Sequence, residues 1–77
     1  MIKILFFAQL REQLGQRELS LELTQPKSVR AVADELESQH AVNLSGALVA
    51  INEAYATAQD TLKPGDTLAF FPPVSGG

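Results

Sequence analysis

The spacing of apolar positions along the chain switches between two residues and about 3.6, and each switch marks a new element. Ile2 to Ala8, IKILFFA, is dense in β-branched and aromatic residues and predicts a strand. Ile2, Ile4 and Phe6 share one of its faces; Lys3, Leu5 and Phe7 share the other. A lysine is almost never fully buried without a partner, so Lys3 marks the second face as wet. QLREQL, before Gly15, has the composition of one helical turn or a long loop, which the glycine ends. RELSLEL then alternates, with Leu19, Leu21 and Leu23 on one side and Glu18, Ser20 and Glu22 on the other. It predicts a strand with one wet face, paired as an antiparallel hairpin with the first.

TQPKS is a turn that delivers Ser28, a good helix N-cap. Val29, Val32, Ala33 and Leu36 follow at helical spacing, opposite Arg30, Asp34, Glu35 and Glu37, so an amphipathic helix should run to about His40. The single histidine reads as a surface or C-terminal helix residue, favourable at the negative end of the helix dipole, rather than as a catalytic group. ALVAIN predicts a third strand, Asn52-Glu53 a tight turn and AYATA a short fourth strand. Pro64-Gly65 suits the centre of a type II turn, because proline presets one torsion and glycine accepts the positive one. TLAFF is the last strand, with Leu68 and Phe70 inward and Thr67, Ala69 and Phe71 outward. The order ββαββ plus a final β is an α+β sheet with one helix laid across a face.

Composition narrows what such a sheet can do. At 77 residues and 45% hydrophobic the chain is one globular domain, without room for a buried active-site cavity beside its core. There is no cysteine, which removes disulfides, zinc-thiolate sites, catalytic thiols and any side-chain persulfide. The N-terminal apolar run is broken by Lys3 and lacks the length of a membrane span and a signal-peptide cleavage region, so a cytoplasmic location without membrane attachment is expected. A net charge of −3 without clustered Lys or Arg argues against nucleic acid as a partner.

Two features remain for function. Leu5, Phe7 and Phe71 fall on the sheet face that a single helix leaves bare, and several apolar groups together there suggest a docking patch. The chain finishes FFPPVSGG. Pro72 and Pro73 cannot donate ladder hydrogen bonds, so the sheet should end at Phe71, and they hold the exit extended. From Pro73 the chain to Gly77 reaches roughly 13–14 Å at full extension. Val74 and Ser75 would span that reach, and Gly76 and Gly77, without side chains, would pass a cleft too narrow for other residues. The terminal carboxylate is then the reactive group. It needs activation, and the isolated glycines 15, 46 and 65 make no phosphate cradle, so activation has to come from a partner.

MIKILFFAQLRE, the helix from Ser28, AINEAY and LKPGDTLAFFPPVSGG together resemble the small, sulfur-carrying subunits of molybdopterin synthases, members of the ubiquitin-like sulfur-carrier family. The resemblance spans essentially the whole chain, with the helix and the residues around His40 matching in pattern alone. It implies a ubiquitin-like β-grasp fold: a mixed sheet of about five strands, one main helix on one face and an extended tail. Residues 1–72 would form the domain and 73–77 the tail. It also implies that a ubiquitin-activating-enzyme-like adenylyltransferase uses ATP to adenylate Gly77, that a sulfur donor makes the thiocarboxylate, and that the chain itself holds no cofactor or metal. The large synthase subunit, in an assembly of two small and two large subunits, would receive the tail and pass its sulfur to a cyclic pyranopterin monophosphate. By the same resemblance Phe7, Tyr55 and Phe71 would contact the large subunit, Tyr55 standing where an aliphatic residue is more usual, and Pro72, Pro73, Val74 and Ser75 would lead into its channel. A sulfur carrier of another pathway such as thiamine thiazole synthesis, a ubiquitin-like modifier of lysines and a plain interaction module with an inert tail are the alternatives.

Overall fold

The computed structural model describes residues 1–73. In chain order its elements are β1 (Ile2–Phe6), α1 (Ala8–Leu14), β2 (Glu18–Leu21), β3 (Lys27–Ser28), α2 (Val29–Gln39), β4 (Leu48–Ile51), β5 (Ala54–Ala56), β6 (Thr61–Leu62) and β7 (Thr67–Phe71). Five of the strands form one mixed sheet in the order β2-β1-β7-β4-β5. β1 and β7, the two ends of the domain, lie side by side and parallel at its centre, with Ile4 opposite Leu68 and Phe6 opposite Phe70. A parallel pair cannot be joined by a tight turn. Everything between them, α2 included, therefore serves as their crossover, while β1–β2, β4–β5 and β4–β7 are antiparallel.

The alternation of β1 decides which face is closed. Ile2, Ile4 and Phe6 are buried, as are Leu68 and Phe70 of β7 and Val49 of β4, and α2 lays Val29, Val32 and Leu36 over them. The Phe6 and Phe70 rings stack at 5.7 Å between centroids in the middle of this core. Truncating a residue as enclosed as Leu36 to alanine would cost about 2–5 kcal/mol, a large share of the stability of so small a domain. α2 starts as its sequence signal requires: the Ser28 hydroxyl accepts the Ala31 N–H at 3.0 Å. It ends at His40, half-buried, whose N–H donates to the Leu36 carbonyl.

Both turns read from residue type are present. Asn52 and Glu53, at φ 51° and 72°, put both central residues of the β4–β5 hairpin in the left-handed region, the geometry of a type I′ turn. Gly65 sits at φ 95°, with the Asp66 N–H bonded to the Lys63 carbonyl across the turn and its own N–H bonded to the Met1 carbonyl, which ties the turn to the start of β1.

Several boundaries differ from the sequence reading. The first strand stops at Phe6 rather than Ala8, because Ala8 adopts φ 51° and breaks the ladder. The following segment is neither a single turn nor a loop but the two-turn helix α1, held by buried Leu10 and closed by Gly15 at φ 82°. The second strand keeps Glu18–Leu21 alone, and Leu23 is buried beyond it as a loop residue. The fourth strand ends at Ala56. A two-stranded sheet, β3 with β6, went unread; each strand has two residues, too few to show a period. Among the described residues no helix is long and apolar enough to cross a membrane.

Candidate functional site

Cross-strand register turns the outer face of the sheet into rows. Phe71 lies opposite Leu48, and the Phe7 N–H extends the parallel ladder by donating to the Phe70 carbonyl at 3.2 Å, which seats Phe7 beside Phe71. Their rings stack at 4.7 Å with a 7° tilt. The first row is therefore Phe7, Phe71 and Leu48. In the next row Leu5, Ala69, Ala50 and Tyr55 follow one another across the four strands. A third row turns polar, with Lys3 opposite Thr67 and, on the adjacent strand, Glu18 4.0 Å from the Lys3 ammonium.

The exposures suit docking rather than packing. Phe7 is 41% exposed, Leu48 40% and Tyr55 85%, whereas Leu5 and Phe71 are half-buried by their neighbours. Large apolar side chains grouped on one face mark an interaction site more often than a solvated surface. The structure thus brings Phe7 and Phe71 together as parity required and sets Tyr55 on the same face, one row further from the tail. It adds Leu48, which the sequence reading missed. ALVAIN is an almost unbroken apolar run, so its outward positions could not be told from its inward ones until pairing with β7 placed Leu48 against Phe71.

The chain leaves the sheet from the middle of the first row. Pro72 is half-buried and Pro73 exposed, so the strand is released at the apolar edge of the patch. Val74, Ser75, Gly76 and Gly77 lie outside the described residues.

A polar clamp holds the opposite end of β7. The Asn52 side chain donates to Asp66 and accepts the Thr67 N–H, at 3.0 and 2.9 Å, while the Asn52 N–H donates to the Thr67 carbonyl. Asp66 also accepts the Lys63 N–H at 2.8 Å. That backbone bond, then the Asn52 amide, hold the Asp66 carboxyl below its ordinary value of 3.8. The clamp fixes the hairpin that carries Tyr55 to the strand that carries Phe71. Its groups are committed to one another, which is structural use rather than catalysis. Among the described residues no three His, Cys, Asp or Glu side chains are grouped to hold a metal.

The model of the ThiS family matches residues 4–77. The molybdopterin synthase sulfur carrier subunits of Haemophilus influenzae and Escherichia coli are 38% and 37% identical to the chain, each alignment covering the whole of both proteins. Among solved structures, the crystal structure of SAMP1 from Haloferax volcanii superposes with a TM-score of 0.79 at 28% identity, over 99% of this chain and 98% of that one. The fold is accordingly the ubiquitin-like β-grasp expected from the resemblance. With the match running from the first core strand to the final glycine, the chain belongs to the ThiS family and is related along its whole length to molybdopterin synthase sulfur carrier subunits.

Proposed function

We propose that this protein is the sulfur carrier of a molybdopterin synthase and that the working group is the carboxylate of Gly77. The observation that supports this most is the placement of the tail root, Pro72 and Pro73, at the edge of an exposed apolar face on a chain whose full-length relatives carry sulfur. A carboxylate is a poor electrophile, so the carrier is charged in two steps. An oxygen of the carboxylate attacks the α-phosphorus of ATP in an adenylyltransferase, pyrophosphate leaves, and an acyl-adenylate forms. A sulfide equivalent from a sulfur donor then adds to the acyl carbon and AMP leaves, giving the thiocarboxylate.

The carrier next docks its outer face on the large subunit, through Phe7, Phe71 and Tyr55, with Leu48 alongside. Residues 73–77 enter the large subunit's active site, Gly76 passing the narrowest point. The thiocarboxylate sulfur attacks a side-chain carbon of the cyclic pyranopterin monophosphate and displaces the oxygen substituent from it, and water then cleaves the acyl–sulfur bond, which leaves a thiol on the pterin carbon and restores the carboxylate. A dithiolene needs two sulfurs, which suits an assembly of two carriers with two large subunits. None of these steps asks for a catalytic side chain or a bound cofactor on the carrier; ATP is bound by the adenylyltransferase.

The test is the intact mass of the protein after incubation with its adenylyltransferase, ATP and a sulfur donor. One oxygen-for-sulfur exchange, located on Gly77, is expected. Feeding that species and the large subunit with the pyranopterin precursor should yield the dithiolene product. A ladder of lysine adducts in place of the exchange would favour a conjugating modifier, and an exchange without dithiolene product would favour a sulfur carrier of another pathway.

A further inference from the structure

The helix side of the sheet carries a second feature that the docking face does not use. Between α2 and the β4–β5 hairpin lies an open groove of about 430 Å³. Small residues line it, Ala33 of α2, Ala47, and Ala56 of β5 among them, together with the buried Val49 and Phe70. Its rim is charged. Arg30 is engaged by Asp34 at 3.3 Å, and Glu37 accepts the Leu44 N–H with one carboxylate oxygen, so the acidic groups outnumber the basic one.

The groove meets the docking face at the tail root. Leu48 belongs to the apolar row of the outer face and also lines the groove, and the last two sheet residues before the prolines point to opposite faces, Phe71 outward and Phe70 into the core beneath the groove. A protein that takes the continuation of β7 into a channel has to surround the strand where it emerges, and it meets the apolar row on one side and the charged-rimmed groove on the other. We infer that this groove is a second contact for the protein that receives the tail, taking from it a segment with an aliphatic side chain next to a lysine or arginine. The aliphatic group fills the space between the alanines and the cation lies on the Asp34–Glu37 rim, a pairing that sets specificity more than raw affinity. This inference rests on the docking reading above.

Three variants separate the two. Ala33→Leu fills the groove from α2, a substitution that keeps helix propensity, and Asp34→Arg reverses the rim at an exposed position whose ion pair contributes little to folding. Phe71→Ala probes the outer face. Titration calorimetry against the large synthase subunit should give a Kd weakened about tenfold by either groove variant, with melting temperatures close to that of the unaltered protein. A photo-crosslinking residue at Ala58, on the groove's edge, should join the carrier to the large subunit. Weakening by Phe71→Ala with unchanged affinity in both groove variants overturns the groove and leaves the docking face standing. Unchanged affinity in all three overturns the docking reading itself. Crosslinks from position 58 to the carrier's own tail alone would assign the groove to that tail and also overturn the inference.

Discussion

The Phe7–Phe71 stack carries a quantitative consequence. An aromatic side chain exposes about 150–250 Å² when unfolded, and Phe7, at 41% exposed, leaves roughly 60–100 Å² for a partner to cover. At about 25 cal/mol per Å² that area is worth about 1.5–2.5 kcal/mol on docking, or roughly a 10- to 70-fold change in Kd. Phe7→Ala should therefore weaken binding to the large subunit by that factor, measured by titration calorimetry. Folding should respond at least as strongly, since the part of the ring already covered, roughly 90–150 Å², is worth about 2–4 kcal/mol at the same coefficient. The ring gives up a parallel contact at 4.7 Å, worth about 0.5–1.5 kcal/mol beyond its buried area, and denaturant unfolding would register it. Because the two rings cover each other, Phe71→Ala and Phe7→Ala should be less than additive in a double-mutant cycle. Full additivity would mean that the rings act independently and that the stacked pair is not the docking unit; unchanged affinity in both single variants would remove the outer face as the interface.

Other consequences follow from the turns, the clamp and the tail. Asp66 is held below its ordinary pKa in the folded state, so its contribution to stability is complete above about pH 4 and is lost as pH falls through the lower folded value. Asp66→Asn should flatten that part of the acid limb in denaturant melts recorded from pH 5 to pH 2, and an unchanged slope would dissociate Asp66 from acid sensitivity. Gly65→Ala places a Cβ at φ 95°, where nothing crowds it but the backbone is strained, and should cost about 1–2 kcal/mol by chemical denaturation. Adding one residue after Gly77 should abolish the oxygen-for-sulfur exchange by mass spectrometry and leave the melting temperature unchanged; retained exchange would show that the terminal carboxylate is not the working group.

How much of this was legible depended on period and on length. Strand alternation is strict, so Ile2, Ile4 and Phe6 were readable as core, and Phe7 and Phe71 as outward, without any coordinates. The cap at Ser28 and the turns at Asn52-Glu53 and Pro64-Gly65 were readable because each rests on a local stereochemical requirement. α1 was harder to see. Phe7, at its N-cap, gives no side-chain hydrogen bond, so nothing in the sequence marks its start, and its seven residues gain their order from burying Leu10. β3 and β6 exist through their pairing with each other, a contact between residues 27–28 and 61–62 that no local pattern encodes.

By itself the sequence determined the alternation, the cap at Ser28, the turn positions, the missing cysteine and the glycine pair, since each follows from bonds and side chains within a few residues. The tertiary structure decided the rest: that β1 and β7 lie parallel at the centre, that Phe7 and Phe71 stack, that Leu48 joins them, and that the tail root stands between an apolar face and a groove. Those are relations between residues far apart in the chain. They come into being when the sheet closes on α2, and so does the surface from which Pro72 and Pro73 leave the sheet.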